Sequence, residues 1–145
     1  MTTVLTRAVA RLMLAPTLVI AVAVLVKGYA DVGDGFSAGV IAAVAILIQY
    51  LAFGRAEADR ALPLRLIPPA AFAGLLVALA LAFWPALRGD PILTHLPSAG
   101  SDAVKLGTLE LITAVAFDVA VFLLVLGAVV GIIRAIAMAG EERAR

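Results

Sequence analysis

Apolar runs of membrane length alternate with short polar clusters along this chain. The clearest run, 36–53, holds eighteen residues without a charge. A helix needs about 20 residues to cross a hydrocarbon core of ~30 Å. Four stretches meet or approach that length: 8–26, 36–53, 66–84 and 106–133. Pro68 and Pro69 open the third, and Pro85 follows its end. Proline is tolerated in a first helical turn, where its missing N–H costs nothing, and it stops a helix that it follows. Pro16 is read as lying in the first turns of the first stretch. The fourth is long for one crossing and carries Glu110 and Asp118, so it is expected to tilt or project from the bilayer. The pattern predicts an all-α integral membrane protein, a bundle of four transmembrane helices.

Composition agrees. Of 145 residues, 64% are hydrophobic and 14% charged, with a mean hydropathy of +1.14. Soluble domains carry roughly a quarter charged residues. The expected organisation is a single domain over 1–145. Four helices enclose little interior, so much of their apolar surface must face lipid or partner proteins. With no cysteine, disulfides, thiolate metal sites and cysteine nucleophiles are excluded.

Charge gives the orientation. Eight of the eleven basic residues fall in three places: Arg7 and Arg11; Arg55, Arg60 and Arg65; Arg134, Arg143 and Arg145. Lys27, Arg88 and Lys105 belong to the other side. Basic residues stay cytoplasmic, so both termini are expected in the cytoplasm, with the Gly-rich turn after Lys27 and the 85–105 loop outside. The first stretch has the basic start and apolar centre of a signal peptide, but exceeds a usual signal core, and the loop bias fits an uncleaved helix.

Two places carry candidate chemistry. The turn before 36–53 holds Asp31, Asp34 and the glycines Gly28, Gly33 and Gly35. Its acids do not follow the alternate spacing of a calcium loop, and Gly33-x-Gly35-x-x-x-Gly39 is no dinucleotide fingerprint. A tight reversal with positive φ at glycine explains it better. The acids still attract cations to a nearby entrance. In the fourth stretch, Asp118 falls near the middle of the expected helix, where an aspartate costs ~2.5–3.5 kcal/mol to insert. Such a residue faces protein or water and marks a functional site or a satisfied packing contact. Glu110, Thr113 and Asp118 form a candidate cation or proton path, with Glu110 read alternatively as interfacial. Gln49 and Tyr50 suit an interhelical hydrogen bond and an interfacial anchor, and Trp84 a belt position. Gly35-x-x-x-Gly39 and Gly127-x-x-x-Gly131 permit close helix contact. His95, the only histidine, is expected to be solvated. Protease, P-loop and zinc-hydrolase signatures are missing.

Residues 33–39 read Gly-Asp-Gly-Phe-Ser-Ala-Gly, followed by Gln49-Tyr50-Leu51; Thr113 precedes Phe117-Asp118 and then Gly127. This pattern resembles the B-type subunits (MnhB/MrpB family) of the Mrp-type multisubunit sodium/proton antiporters. These are small four-helix proteins with a G-x-G-F-x-x-G turn and a Phe-Asp-x-Gly-Val-Tyr run in the last helix. The chain departs at Val32 and Asp34, where the family has Pro and Gly, and at Ala114, Ala120 and Phe122, where it has Pro, Gly and Tyr. The resemblance implies an accessory protein of the bacterial cell membrane, without a catalytic site, cofactor, metal or nucleic-acid partner. It is expected to scaffold the complex and line part of a cation path, working with the other subunits, lipid, sodium ions and protons. The resemblance singles out Asp118 as ligand and Gly33, Gly35, Phe36 and Gly39 as the structural turn. Related B-type proteins also serve membrane-bound hydrogenases and other complex I-like oxidoreductases, which is the alternative host.

Overall fold

A computed structural model describes residues 3–28, 33–61, 66–94, 104–106, 109–111 and 113–143. Four of its helices are long and apolar enough to cross a membrane. They are α1 (Val4–Lys27), α2 (Gly35–Phe53), α4 (Ile67–Phe83) and α5 (Thr113–Arg143). A short charged helix, α3 (Arg55–Ala61), follows α2, and a 3-10 turn (Pro85–Arg88) follows α4.

Local chemistry explains most boundaries. Thr3 caps α1 by accepting the Thr6 N–H at 3.2 Å. This early start moves Pro16 from the expected first turns to the middle of the helix. Gly54, with φ of 75°, ends α2. Pro68 and Pro69 stand in the first turn of α4, where a missing N–H is harmless. The largest difference from expectation lies before α5. The segment expected to open the fourth helix instead carries strand: β1 (Val104–Leu106) and β2 (Leu109–Leu111) pair antiparallel, with Lys105 opposite Glu110. Hydropathy alone merged these residues with the helix. Gly107 interrupts the helical pattern, and the alternation Leu109-Glu110-Leu111 has the period of a strand.

The helices pack in the order α1, α2, α5, α4. Lipid supplies no hydrophobic drive between helices, so association relies on close backbone approach and interhelical hydrogen bonds. Both are present. A Cβ added at Gly39 would sit 2.9 Å from the Val125 Cβ and 3.1 Å from the Phe122 carbonyl oxygen. One added at Gly74 would sit 2.5 Å from the Ala120 carbonyl oxygen, and one at Gly127 would collide with the Ala71 backbone. Gly131 is less confined, its nearest neighbour being the Pro68 side chain at 3.6 Å. Between α1 and α2, the buried Gln49 donates from Nε2 to the Ala10 carbonyl oxygen at 2.8 Å. The packed centre is correspondingly compact: Ala43, Ile46, Tyr50, Ala58 and Val130.

The basic clusters meet at one end of the bundle, and α3 is their hub. Glu57 accepts from Arg7 at 2.8 Å and Arg11 at 3.2 Å. Both guanidiniums also lie over the Phe53 ring, 5.2 and 5.0 Å from its centre. Asp59 accepts the Tyr50 hydroxyl at 2.7 Å and pairs with Arg134 at 3.3 Å and Arg55 at 3.6 Å. Arg55 also reaches Glu141 at 2.8 Å. Exposed pairs of this kind contribute little singly. The Asp59 side chain is only 8% exposed, so its partners matter more: removing them strands a largely buried charge.

The close α4–α5 contact gives a direct test. Gly127→Val should push α4 and α5 apart and cost about 1–3 kcal/mol, as overpacking does. Denaturation of the purified chain in mixed micelles with increasing SDS would register it as an earlier midpoint. An unchanged midpoint would contradict the close approach.

Candidate functional site

The turn joining α1 to α2 and the second turn of α5 form one unit at the end of the bundle opposite the arginine cluster. Gly28 caps α1, its N–H reaching the Val24 carbonyl at 3.2 Å. Gly33 has a φ of 124°, a left-handed conformation that favours glycine. That conformation accompanies an N–H donated to Asp118 Oδ2 at 2.8 Å. A Cβ at Gly28 would lie 2.8 Å from the same oxygen. Gly35, the first residue of α2, rests directly on the Asp118 backbone. The motif glycines therefore serve two needs: Gly33 supplies conformation, while Gly35 and Gly39 supply space for α5.

Asp34 stands at the N-cap position of α2 without making a side-chain cap. It pairs instead with Lys27 at 2.9 Å, tying the end of α1 to the start of α2. Phe36 does not pack against this unit and is 60% exposed. Asp31 and His95 lie outside the described residues.

Asp118 is the most buried acid among the described residues, 5% exposed. Its depth along the helix differs from the sequence reading. Because α5 begins at Thr113, Asp118 is in the second turn of a 31-residue helix rather than near its middle. Its carboxylate meets the Gly33 N–H of the α1–α2 turn rather than an apolar stretch of a neighbouring helix. A hydrogen bond to a charged group is stronger than a neutral one, and here it fastens the turn to α5. Glu110 is not part of the helix. It lies on β2, so the expected line of Glu110, Thr113 and Asp118 along one helical face does not form. Thr113 opens α5 and is half-buried. Among the described residues, no three His, Cys, Asp or Glu side chains gather as a metal site.

The residues that sequence reasoning missed are those acting through position. The clash a side chain at Gly28 would make with Asp118, and the Lys27–Asp34 pair, have no motif. The α3 hub has no motif either: Glu57 and Asp59 stand between Arg55 and Arg60, but their residue types do not mark them as the meeting point of three segments.

A family model described as "Domain related to MnhB subunit of Na+/H+ antiporter" matches residues 5–131. The chain belongs to this MnhB-related family. It is 37% identical over 110 residues to the B-type subunit of the Na(+)/H(+) antiporter of Alkalihalophilus pseudofirmus, covering 76% of this chain and 75% of that one. It is 35% identical over 116 residues to the protein of the same name from Bacillus subtilis, covering 80% and 78%. The A/B-type subunit of a probable K(+)/H(+) antiporter of Rhizobium meliloti is 36% identical over 115 residues, 77% of this chain but 11% of that protein. Within this MnhB-related chain, the segment matched by the family model contains the whole α1–α2 turn and Asp118.

The Asp118–Gly33 bond is measurable in isolation. Asp118→Ala should release the Gly33 amide and speed its hydrogen exchange by about 10-fold or more, the equivalent of a charge-assisted hydrogen bond of ~1.5–3 kcal/mol. Exchange mass spectrometry on the 28–36 peptide reads it. Unaltered protection would mean that Asp118 does not hold the turn.

Proposed function

We propose that this chain is the B-type membrane subunit of a multisubunit cation/proton antiporter. The observation that carries this reading is the match to two bacterial B-type subunits over three quarters of both partners' lengths. The fold suits an accessory role. Its four membrane-length helices surround a compact centre, and Asp118 is the most buried acid among the described residues. Alternating access needs two halves that rock about a shared site. The larger moving parts belong to other proteins of the complex.

In this reading the chain sits in the bacterial cell membrane, with the arginine-rich end in the cytoplasm and the Asp118 unit outside. Sodium ions and protons are the transported species, following the names of the two bacterial relatives. Asp118 is the residue placed on the cation or proton path, at its outer end. Thr113, five residues earlier at the start of α5, is a secondary contributor. The chain itself has no catalytic role.

Asp118→Asn separates transport from assembly. Asparagine keeps an oxygen acceptor for the Gly33 N–H and loses the charge. The complex should still co-purify, and sodium-dependent proton movement in everted vesicles should fall several-fold. Full antiport from an assembled Asp118→Asn complex would reject Asp118 as an ion ligand. Co-purified proteins also identify the host: iron–sulfur or metal-cluster proteins would mark an oxidoreductase instead.

A further inference from the structure

Helix α3 has two polar faces. Glu57 turns towards α1, where it holds Arg7 and Arg11. Arg55, Ala56, Asp59 and Arg60 recur at the spacing of another single face. With Glu141 of α5 they line a polar cleft of about 250 Å³. Arg134 of α5 closes on the same Asp59 at 3.3 Å.

The charges here are unequal. The guanidiniums of Arg55, Arg60 and Arg134 gather with the carboxylates of Asp59 and Glu141. A guanidinium is all donor and a carboxylate all acceptor, and donors outnumber acceptor sites by about two to one. The Tyr50 hydroxyl takes a further Asp59 site. The surplus shows in individual atoms. Arg55 Nε and Arg134 Nε are shut off from solvent without a hydrogen-bond partner among the described residues. For Arg55 Nε, Asp59 Oδ2 stands 3.6 Å away, too far for a hydrogen bond. Arg60 makes no ion pair or hydrogen bond among the described residues. Water serves exposed donors such as those of Arg60 but leaves the excess positive charge. An oxyanion answers both.

The level of the cleft puts one oxyanion within reach. Gly54 alone separates α3 from Phe53, the last residue of the membrane-length helix α2. Such a helix ends where lipid headgroups lie. Guanidinium binds phosphate through paired N–H groups, and basic pockets between transmembrane helices take anionic headgroups. We propose that the cleft between α3 and the end of α5 binds a phosphate group through Arg55 and Arg60, carried by a phospholipid headgroup or free in solution. Glu141, which accepts from Arg55 at 2.8 Å, is the competitor that phosphate must displace. Its side chain is 48% exposed, so it can turn to water. The site stands apart from the antiport reading, since Asp118 lies at the opposite end of the bundle.

The test titrates the full chain in dodecyl maltoside micelles. Phosphatidylglycerol is compared with monogalactosyldiacylglycerol of the same acyl chains, which has no phosphate, and bound lipid is counted by native mass spectrometry. Inorganic phosphate is titrated separately by calorimetry. Phosphatidylglycerol should bind more tightly than the galactolipid. Arg60→Gln should weaken it about tenfold, the worth of a charged hydrogen bond. Arg88→Gln, at the other end of the bundle, should change nothing. Glu141→Gln should tighten binding about threefold by removing an exposed competitor. Inorganic phosphate that binds with the same dependence on Arg60, without a lipid preference, supports the site and makes solution its source. Equal affinity for the two lipids with no binding of inorganic phosphate overturns the site. Equal losses from Arg60→Gln and Arg88→Gln also overturn it, because net charge alone then explains them. Misfolding does not tighten binding, so Glu141→Gln keeps the test decisive if Arg60→Gln folds poorly. Unchanged or weaker binding in Glu141→Gln overturns the part given to Arg55.

Discussion

How closely α2 and α5 approach governs the rest of the structure. Two helices in lipid gain nothing by hiding apolar side chains from an equally apolar solvent. Their contact depends on short-range dispersion and on polar groups that find each other. Gly35 and Gly39 let α5 lie with its backbone against α2, and Gly74 and Gly127 do the same between α4 and α5. The second turn of α5 is thereby held under the α1–α2 turn, which brings Asp118 Oδ2 within 2.8 Å of the Gly33 N–H. A side chain at Gly35 would move α5 and carry the carboxylate out of reach. The motif glycines and Asp118 lie far apart in sequence, yet they are parts of one contact.

Charge is arranged to reinforce this packing at both ends. At one end Glu57 and Asp59 on α3 gather arginines from α1, from α3 itself and from α5. At the other, Lys27 and Asp34 bracket the turn. Between these ends the helices hold themselves by shape and by single polar contacts such as Gln49 to Ala10. The ionic groups stay where water can share their solvation, which is the least costly place for them in a membrane protein.

Much of this was legible in the sequence. The three helices 8–26, 36–53 and 66–84 appear within a few residues of expectation, because uninterrupted apolar length is a strong signal and Gly54 and Pro68 mark boundaries plainly. The distribution of arginines correctly grouped Arg7, Arg55 and Arg134 at one end. The start of α5 was misread because Leu106, Leu109 and Leu111 are as apolar as the helix that follows. Only period and Gly107 separate them. That misreading also displaced Asp118 inward and put Glu110 on a helical face it does not occupy. Asp118 itself stood out for a sound reason, since an acid in an apolar run must be satisfied by something. Its partner, a backbone N–H in a distant turn, has no side-chain signature and so could not be read from residue types.

Moving Asp118 from mid-helix to the level of the turn changes the kind of chemistry open to it. An acid in the bilayer centre has to find its partner on another helix or in a water-filled cavity. At the helix end Asp118 instead accepts the Gly33 N–H, with Lys27 and its partner Asp34 at the same end. Because Oδ2 accepts the Gly33 N–H, that one oxygen couples the position of the turn to α5. The conformation at Gly33 and the space for α5 at Gly35 are therefore complementary features of the site, and both follow from where the sequence places glycine.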